Sequence, residues 1–430
     1  MAEEIILLKF FIILFLLFFI PKIIKRFYRI PFPITEITLG LLLGMLLPEY
    51  FYAEDALKVL STLGIVTLFV HSGMEVDFQF IAKNRRFFIE NMILHLAVIG
   101  LVGYALHELF SLTYQVAYLA SLALTTPSAS YIISSNSDSG RNEKPWIEGK
   151  AIAGEVASLI LMIFLYRIDN PANLILTIVI IGLLLFMLPK VLRFLYDRVF
   201  SKMIGTEFSF IFAVAMISAL ITDIIGLHFL LGAFIAGVVS RRFISDLVKD
   251  EGYIDVSSSK GKQIVVGFGF FSLVFAPFFF YTTGLSIKPE IFTWTTLGLA
   301  LLFGLAIAGI RILIIAAHRM FRVREKFPKA ARISAKMLPT LVFTFVISEM
   351  LVENFGIDSQ LFNTLMIYGI LTALISLGFD IYFSRRSERK SARKEADAKK
   401  PSGKVSSSSR AQARPRSAAS AGKGRKARRS

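Results

Sequence analysis

Apolar stretches of roughly bilayer length recur along this chain from residue 4 to residue 383, and charged residues gather in the short segments between them. In hydrocarbon a stretch of about 20 apolar residues must bond its backbone to itself, so this feature dictates a bundle of membrane-spanning helices. Thirteen stretches are read, at 4–20, 33–47, 56–74, 87–109, 116–134, 147–166, 173–192, 208–225, 227–240, 264–284, 291–317, 337–351 and 361–383. The second, ninth and twelfth are shorter than a regular span and are expected to be tilted, broken or re-entrant. Only 18% of residues are charged and the mean hydropathy is +0.65, which excludes a soluble enzyme.

Cytoplasmic loops collect Lys and Arg, and here the loops alternate. Those after odd-numbered spans carry Lys22, Lys25, Arg26 and Arg29; Lys83, Arg85 and Arg86; Arg141, Lys144 and Lys150; Lys190, Arg193, Arg198 and Lys202; Arg241, Arg242, Lys249, Lys260 and Lys262; and the cations from Arg319 to Lys336. Loops after even-numbered spans hold Lys58, Arg167 and Lys288 beside several acids. The expected topology is therefore a multi-pass protein of the cell membrane with its N-terminus outside and its C-terminus in the cytoplasm. The first run begins at Glu3 and Glu4 and ends in cations, the reverse of a secretory signal, so it is expected to be retained.

Most of the net charge of +17 lies in 385–430, where 17 Lys and Arg face three acids. This Ser, Ala and Gly-rich segment lacks aromatic residues, so a transmembrane domain at 1–384 and a disordered basic cytoplasmic tail at 385–430 are expected. A basic tail beside a final span reads as a contact for anionic lipid, not nucleic acid. The chain has no Cys, no metal-ligand spacing, no Ser-His-Asp order and no phosphate-cradling Gly loop. No enzymatic activity, cofactor or appended soluble domain is expected.

Two spans look broken. Span five carries Thr125-Thr126-Pro127-Ser128-Ala129-Ser130, five of six residues being hydroxyl or Pro, and span twelve carries Pro339-Thr340. Pro removes a donor and frees the carbonyl four residues back, while hydroxyls offer oxygens to a hard cation. An irregular backbone at membrane depth is tolerated only where it is buried or lines a wet cavity. These spans lie seven apart, so they run in opposite directions, as corresponding members of an inverted repeat must, with spans four to six matching eleven to thirteen. Such a repeat places a site at the midplane between two crossed discontinuous helices.

Two ionisable residues sit well inside spans, Glu155 in span six and Arg311 in span eleven. Each is expensive there and is a functional candidate by default. A desolvated carboxyl holds a proton or a cation but not both comfortably, which is what exchange requires. Arg311 stays charged, so it neutralises or braces the site rather than carrying a proton. His71, Glu75 and Asp77 read as interfacial polar residues, His95 as an interhelical hydrogen-bonder, and Asp223, His228 and Glu349 as outer rims.

The residues resemble a known family, the monovalent cation:proton antiporters with a sodium/hydrogen exchanger-type transmembrane domain. The similarity covers about 31–383. It rests on 33–44 in span two, on Leu63-Gly64-Ile65 and Ser72-Gly73-Met74-Glu75-Val76-Asp77 in span three, on Thr126-Pro127-Ser128, on Gly232-Ala233-Phe234-Ile235-Ala236-Gly237, and on 278–287. The resemblance implies thirteen spans, a homodimer with a dimerisation domain and a mobile core domain of crossed broken helices, and elevator-like alternating access. By position Glu155 matches the family's essential acid and Arg311 its basic residue. The family usually has Asp there, preceded by Asn or Asp, whereas this chain has Gly154-Glu155.

The expected function is antiport of sodium or potassium for protons, electroneutral because a lone carboxyl stands beside an Arg. Glu155 is the shared proton and cation site, where the monovalent cation binds transiently. Oxygens at Thr125, Thr126, Ser128, Ser130 and Ser158 complete the coordination, and Pro127, Pro339 and Thr340 keep the helices broken. The alternative is a family derivative acting as a channel or an ion or pH sensor.

Overall fold

A lipid-embedded backbone has to satisfy its own polar groups, and every described element of this chain is helical. The structure is a computed structural model and describes residues 2–28, 30–47, 55–136, 140, 143–167, 171–200, 207–250, 259–288, 290 and 292–398. Of the loop charges above, Arg29, Arg141 and Lys202 lie outside these residues, as does the expected tail beyond 398.

In chain order the helices are α1 (Ala2–Tyr28), α2 (Phe32–Leu46), α3 (Asp55–Met74), α4 (Phe78–Lys83), α5 (Arg85–Phe110), α6 (Tyr114–Thr125), α7 (Ala129–Ser135) and α8 (Lys144–Arg167). They continue as α9 (Pro171–Leu195), α10 (Glu207–Ile224), α11 (Phe229–Asp250), α12 (Ser259–Ser286), α13 (Trp294–Val323), α14 (Phe327–Ala335), α15 (Leu341–Phe355) and α16 (Ser359–Ala398). Among the described residues nine spans are long and apolar enough to cross a membrane, one of them running through the α6–α7 break, and α2 and most of α10 form shorter apolar helices. The chain divides into units Met1–Phe383 and Ser384–Ser430, and the second is described only as the helical backbone of α16 to Ala398.

Two packing groups make up the first unit. In one, α12 lies against α2 and α3, α11 against α3 and α10, and α1 against α2. In the other, α5 packs on α6 and α8, α7 on α8, α15 across α6, and α14 on α13. The first group is joined by glycines at close backbone approach. A Cβ on Gly73 would strike the carbonyl of Phe234, and one on Gly237 the carbonyl of Val70, so α3 and α11 touch main chain to main chain. Gly40 and Gly284 do the same for α2 and α12. Lipid gives no hydrophobic drive between helices, so such van der Waals contact is what associates them.

Two cations read from sequence as loop residues are buried. Arg319 is 1% exposed; its Nε and Nη2 donate to Glu325 Oε2 and Oε1 at 2.8 and 3.2 Å, and its guanidinium lies 4.9 Å from the Trp146 ring centre. Burial pushes the Glu325 carboxyl up, but hydrogen bonds from Arg319 and Lys329 outweigh it and hold it below the usual carboxylate range. This tie is therefore complete at neutral pH and is lost as pH falls through that lowered value. Lys150 is the second, and it belongs to the site described below. Arg167, on the opposite side, donates through Nη2 to the carbonyls of Ile225 and Gly226, both at 2.6 Å.

Overpacking a close helix contact costs about 1–3 kcal/mol or more. Gly237→Val is expected to lower the thermal midpoint and the monodisperse yield of detergent-purified protein, read by dye-based unfolding and size-exclusion chromatography, whereas Gly182→Val, whose Cβ meets nothing within 4 Å, leaves both unchanged.

Candidate functional site: two interrupted helices around Glu155

Pro127 has no N–H, so the carbonyl of Ala123, four residues back, loses its helical partner. Thr344 on α15 fills that role, its Oγ1 donating to Ala123 O at 2.7 Å. The N–H of Ser128 would ordinarily return to Leu124; instead it donates to Pro339 O at 3.0 Å, a main-chain bond between the two breaks. Tyr368 on α16 then supplies a hydroxyl to Leu124 O. The Ala129 N–H, due to return to Thr125, donates to Glu155 Oε2 at 3.2 Å. The displaced N–H groups of Ser128 and Ala129 are thus accounted for.

The second break is closed as thoroughly. Arg311, 4% exposed, donates from Nη1 to Leu338 O at 2.7 Å and from Nη2 to Met337 O at 2.8 Å. A cation beyond the C-terminal end of α14 also meets the negative end of that half-helix. Thr340 N and Oγ1 lie 3.4 and 3.3 Å from Thr372 Oγ1. Arg311 therefore braces the crossing through carbonyls; among the described residues it makes no ion pair with Glu155.

The first break differs. Among the described residues no hydrogen bond reaches the carbonyls of Thr125, Thr126 or Pro127. Beside them lies Glu155 on α8, 3% exposed. Ser72 on α3 is set against the same carboxylate; its buried Oγ makes no hydrogen bond of good geometry among the described residues. The carboxyl, the unbonded carbonyls of the adjoining break and the Ser72 hydroxyl are all oxygen donors of the kind a hard monovalent cation takes.

The sequence-expected hydroxyls sort into three roles. Thr126 Oγ1 donates to Ser158 Oγ at 2.8 Å, and Ser158 Oγ lies 2.8 Å from His95 Nε2, so these three link α5, α8 and the break. His95 is the interhelical hydrogen-bonder its sequence context suggested. Thr125 Oγ1 turns back onto Ser121 O at 2.7 Å within its own helix. Ser128 is buried at the break, and Ser130 lines a separate cavity with Glu36 and His71.

Gly154 has a local cause. A Cβ there would lie 2.8 and 3.0 Å from Cγ and Cδ of Pro127, so the ring of the broken helix seats on the bare face of α8 next to Glu155. Behind this contact is a cavity of about 30 Å³ lined by Asn91, His95, Lys150 and Arg311 among others. Lys150 donates to Asn91 Oδ1 and is 8% exposed. Sequence reading placed it in a loop, where a Lys near a helix end normally snorkels outward; the polar Asn91 opposite was the available signal.

Residues read as interfacial gather nearby. Glu75 Oε1 is 3.6 Å from His71 Nδ1, and Glu75 has Glu155, Glu148 and Arg241 as charged neighbours. Glu75, Asp77, Glu148 and Arg241 line a cavity of about 350 Å³. Asp77 also caps α4, accepting from Gln79 N and Phe80 N at 2.8 and 3.0 Å.

This arrangement of crossed, interrupted helices around one buried carboxyl is that of an ion-transporting membrane domain. The family model for the sodium/hydrogen exchanger transmembrane domain matches residues 12–380, and the chain belongs to that family of transporters, not enzymes. It is 22% identical over 377 residues to the probable Na(+)/H(+) antiporter 3 of Methanocaldococcus jannaschii, covering 85% of this chain and 94% of that one. A solved structure of the sodium proton antiporter MjNhaP1 from the same organism at pH 8 superposes with a TM-score of 0.65 at 17% identity, covering 89% of this chain and 97% of that one. An electron-microscopy map structure of MjNhaP1 gives 0.63 at 15% identity, with 87% and 94% covered. The all-helical, multi-span membrane fold read from the sequence is thus shown.

Two substitutions test this geometry. Arg311→Met strands two buried carbonyls, each costing about 1–3 kcal/mol, and is expected to lower the thermal midpoint sharply. Gly154→Asn is expected to lower stability through collision with Pro127. Differential scanning fluorimetry of the purified variants against wild type reads both.

Proposed function

We propose that the protein is a secondary antiporter that exchanges a monovalent cation, sodium or potassium, for protons by alternating access. Glu155 is the shared site. The observation that carries this reading is the grouping of one buried carboxylate with the unclaimed carbonyls of Thr125, Thr126 and Pro127 and the unpaired hydroxyl of Ser72. Protonated, Glu155 needs no counter-ion; ionised, it costs several kcal/mol in this setting unless a cation enters. One carboxyl therefore alternates between two positive guests. Exchange is one for one and electroneutral, because Arg311 is committed to the carbonyls of Met337 and Leu338 and carries no second proton.

The unclaimed carbonyls of Thr125, Thr126 and Pro127 are the neutral ligands, with Ser72 completing the shell. Thr126 and Ser158 hold the break beside α8, and Ser128 ties it to Pro339. Family membership and likeness to the two antiporter structures support the same class of transport. On this reading the thirteen sequence stretches are spans of an inverted repeat, the N-terminus is outside, the basic tail from 385 lies in the cytoplasm, and the chain works as a homodimer in the cell membrane.

Purified protein in liposomes loaded with a pH-sensitive dye tests this directly. Sodium or potassium pulses are expected to drive proton efflux in the wild type and none above empty liposomes in Glu155→Gln. Ser72→Ala is expected to raise the apparent cation KM by about two- to tenfold, the value of one modest ligand contact. Cation-driven proton flux that persists in Glu155→Gln, or conductance without proton movement, would contradict the assignment.

A further inference from the structure

A second buried carboxyl lies in the first packing group and takes no part in the site above. Glu36 on α2 is 4% exposed and makes no hydrogen bond or ion pair among the described residues. A carboxyl without partners at membrane depth is costly in its ionised form, so its retention calls for a guest or a role. Glu36 faces a cavity of about 270 Å³ that also touches His71, Ser130, Tyr131 and Ser135. At roughly 30 Å³ per water this space admits several waters or a partly hydrated ion.

The cavity's position supplies the rest. Its walls come from both packing groups: α2, α3 and α12 on one side, α7 and α15 on the other. His71 is chain neighbour to Ser72, and Ser130 to Ala129, the two residues set against the Glu155 carboxylate. The opposite end reaches Lys25, Pro31 and Phe32, beside the first cluster of Lys and Arg. Lys25 does not neutralise Glu36; its Nζ stands 4.3 Å from the Phe32 ring centre. The cavity thus extends from the cationic end of α1 and the start of α2 to residues next in sequence to those set against Glu155, with one unpaired carboxyl on its wall.

We propose that Glu36 is a second binding site for the transported monovalent cation, a waystation between Glu155 and the Lys and Arg-rich side of the protein. This rests on the antiport reading of Glu155 and adds a residue that acts before or after it. Glu36 concentrates the cation at the cavity and passes it across the short gap bounded by His71 and Ser130. It sets how readily the cation is captured and does not take part in the exclusion of proton by cation at Glu155.

Two measurements test the proposal, and each uses the full chain. In proteoliposomes, the isosteric Glu36→Gln is expected to raise the apparent cation KM about tenfold with kcat within about twofold of wild type, and Glu36→Asp to recover most of the loss. A KM equal to wild type in Glu36→Gln, or a fall in kcat alone, would overturn it. The second measurement needs no transport: thermal stabilisation of purified protein by sodium or potassium chloride against choline chloride at equal ionic strength. Glu155→Gln is expected to keep a weaker cation-dependent shift that disappears in Glu155→Gln/Glu36→Gln. No shift in Glu155→Gln, or a shift that survives in the double variant, contradicts the second site. Absence of exchange in the wild type would instead refute the antiport reading, leaving the stabilisation assay to judge Glu36.

Discussion

Backbone satisfaction in a medium without water governs this structure. A helix can be interrupted at membrane depth only where the groups set loose find other partners, or are buried in protein or line a wet cavity. Here the two interruptions largely serve each other. Ser128 N meets Pro339 O, Thr344 answers the carbonyl freed by Pro127, and Arg311 closes the end of α14 with two hydrogen bonds. Removing either break would leave the other with stranded groups, so the crossing stands or falls as a unit.

That mutual closure is not symmetric, and the asymmetry is where chemistry becomes available. The break at 336–340 is almost fully bonded and acts as a brace. The break at 126–128 has spent its donors on Pro339 and Glu155 and keeps carbonyls to spare. In the proposed site the neutral ligands are main chain and the charge comes from one side chain, the carboxyl of Glu155 on α8. Gly154 belongs to the same construction, since its missing Cβ lets the Pro127 ring approach α8 closely enough to bring Glu155 and the break together.

Much of this could be read from the chain alone, for identifiable reasons. Apolar length marks helices because hydrocarbon permits little else, and Pro127 with its flanking hydroxyls marks a break because Pro cannot donate. Glu155 and Arg311 stand out because charge inside an apolar run is expensive. Other features were hidden by equally physical causes. Lys150 and Arg319 look like loop cations, since long basic side chains near helix ends usually reach water; the structure buries them against Asn91, Glu325 and Trp146. Glu36 near the start of span two and Ser72 near the end of span three read as parts of the family resemblance without a role, and only the packing of α2 and α3 against the broken helices brings Ser72 to Glu155 and Glu36 to its cavity. Thr125 illustrates the converse: its hydroxyl, attractive as a ligand by composition, is held by Ser121 O one turn back.

The central claim is that a cation binds where Glu155 meets the carbonyls of the first break. Anomalous diffraction from crystals soaked in thallium or rubidium at high pH locates such an ion without reference to transport. The account predicts a peak in direct contact with the Glu155 carboxylate and at least one carbonyl of residues 125–127, absent in Glu155→Gln. A well-ordered peak confined to other residues, or one at this site that survives loss of the carboxylate, would contradict it.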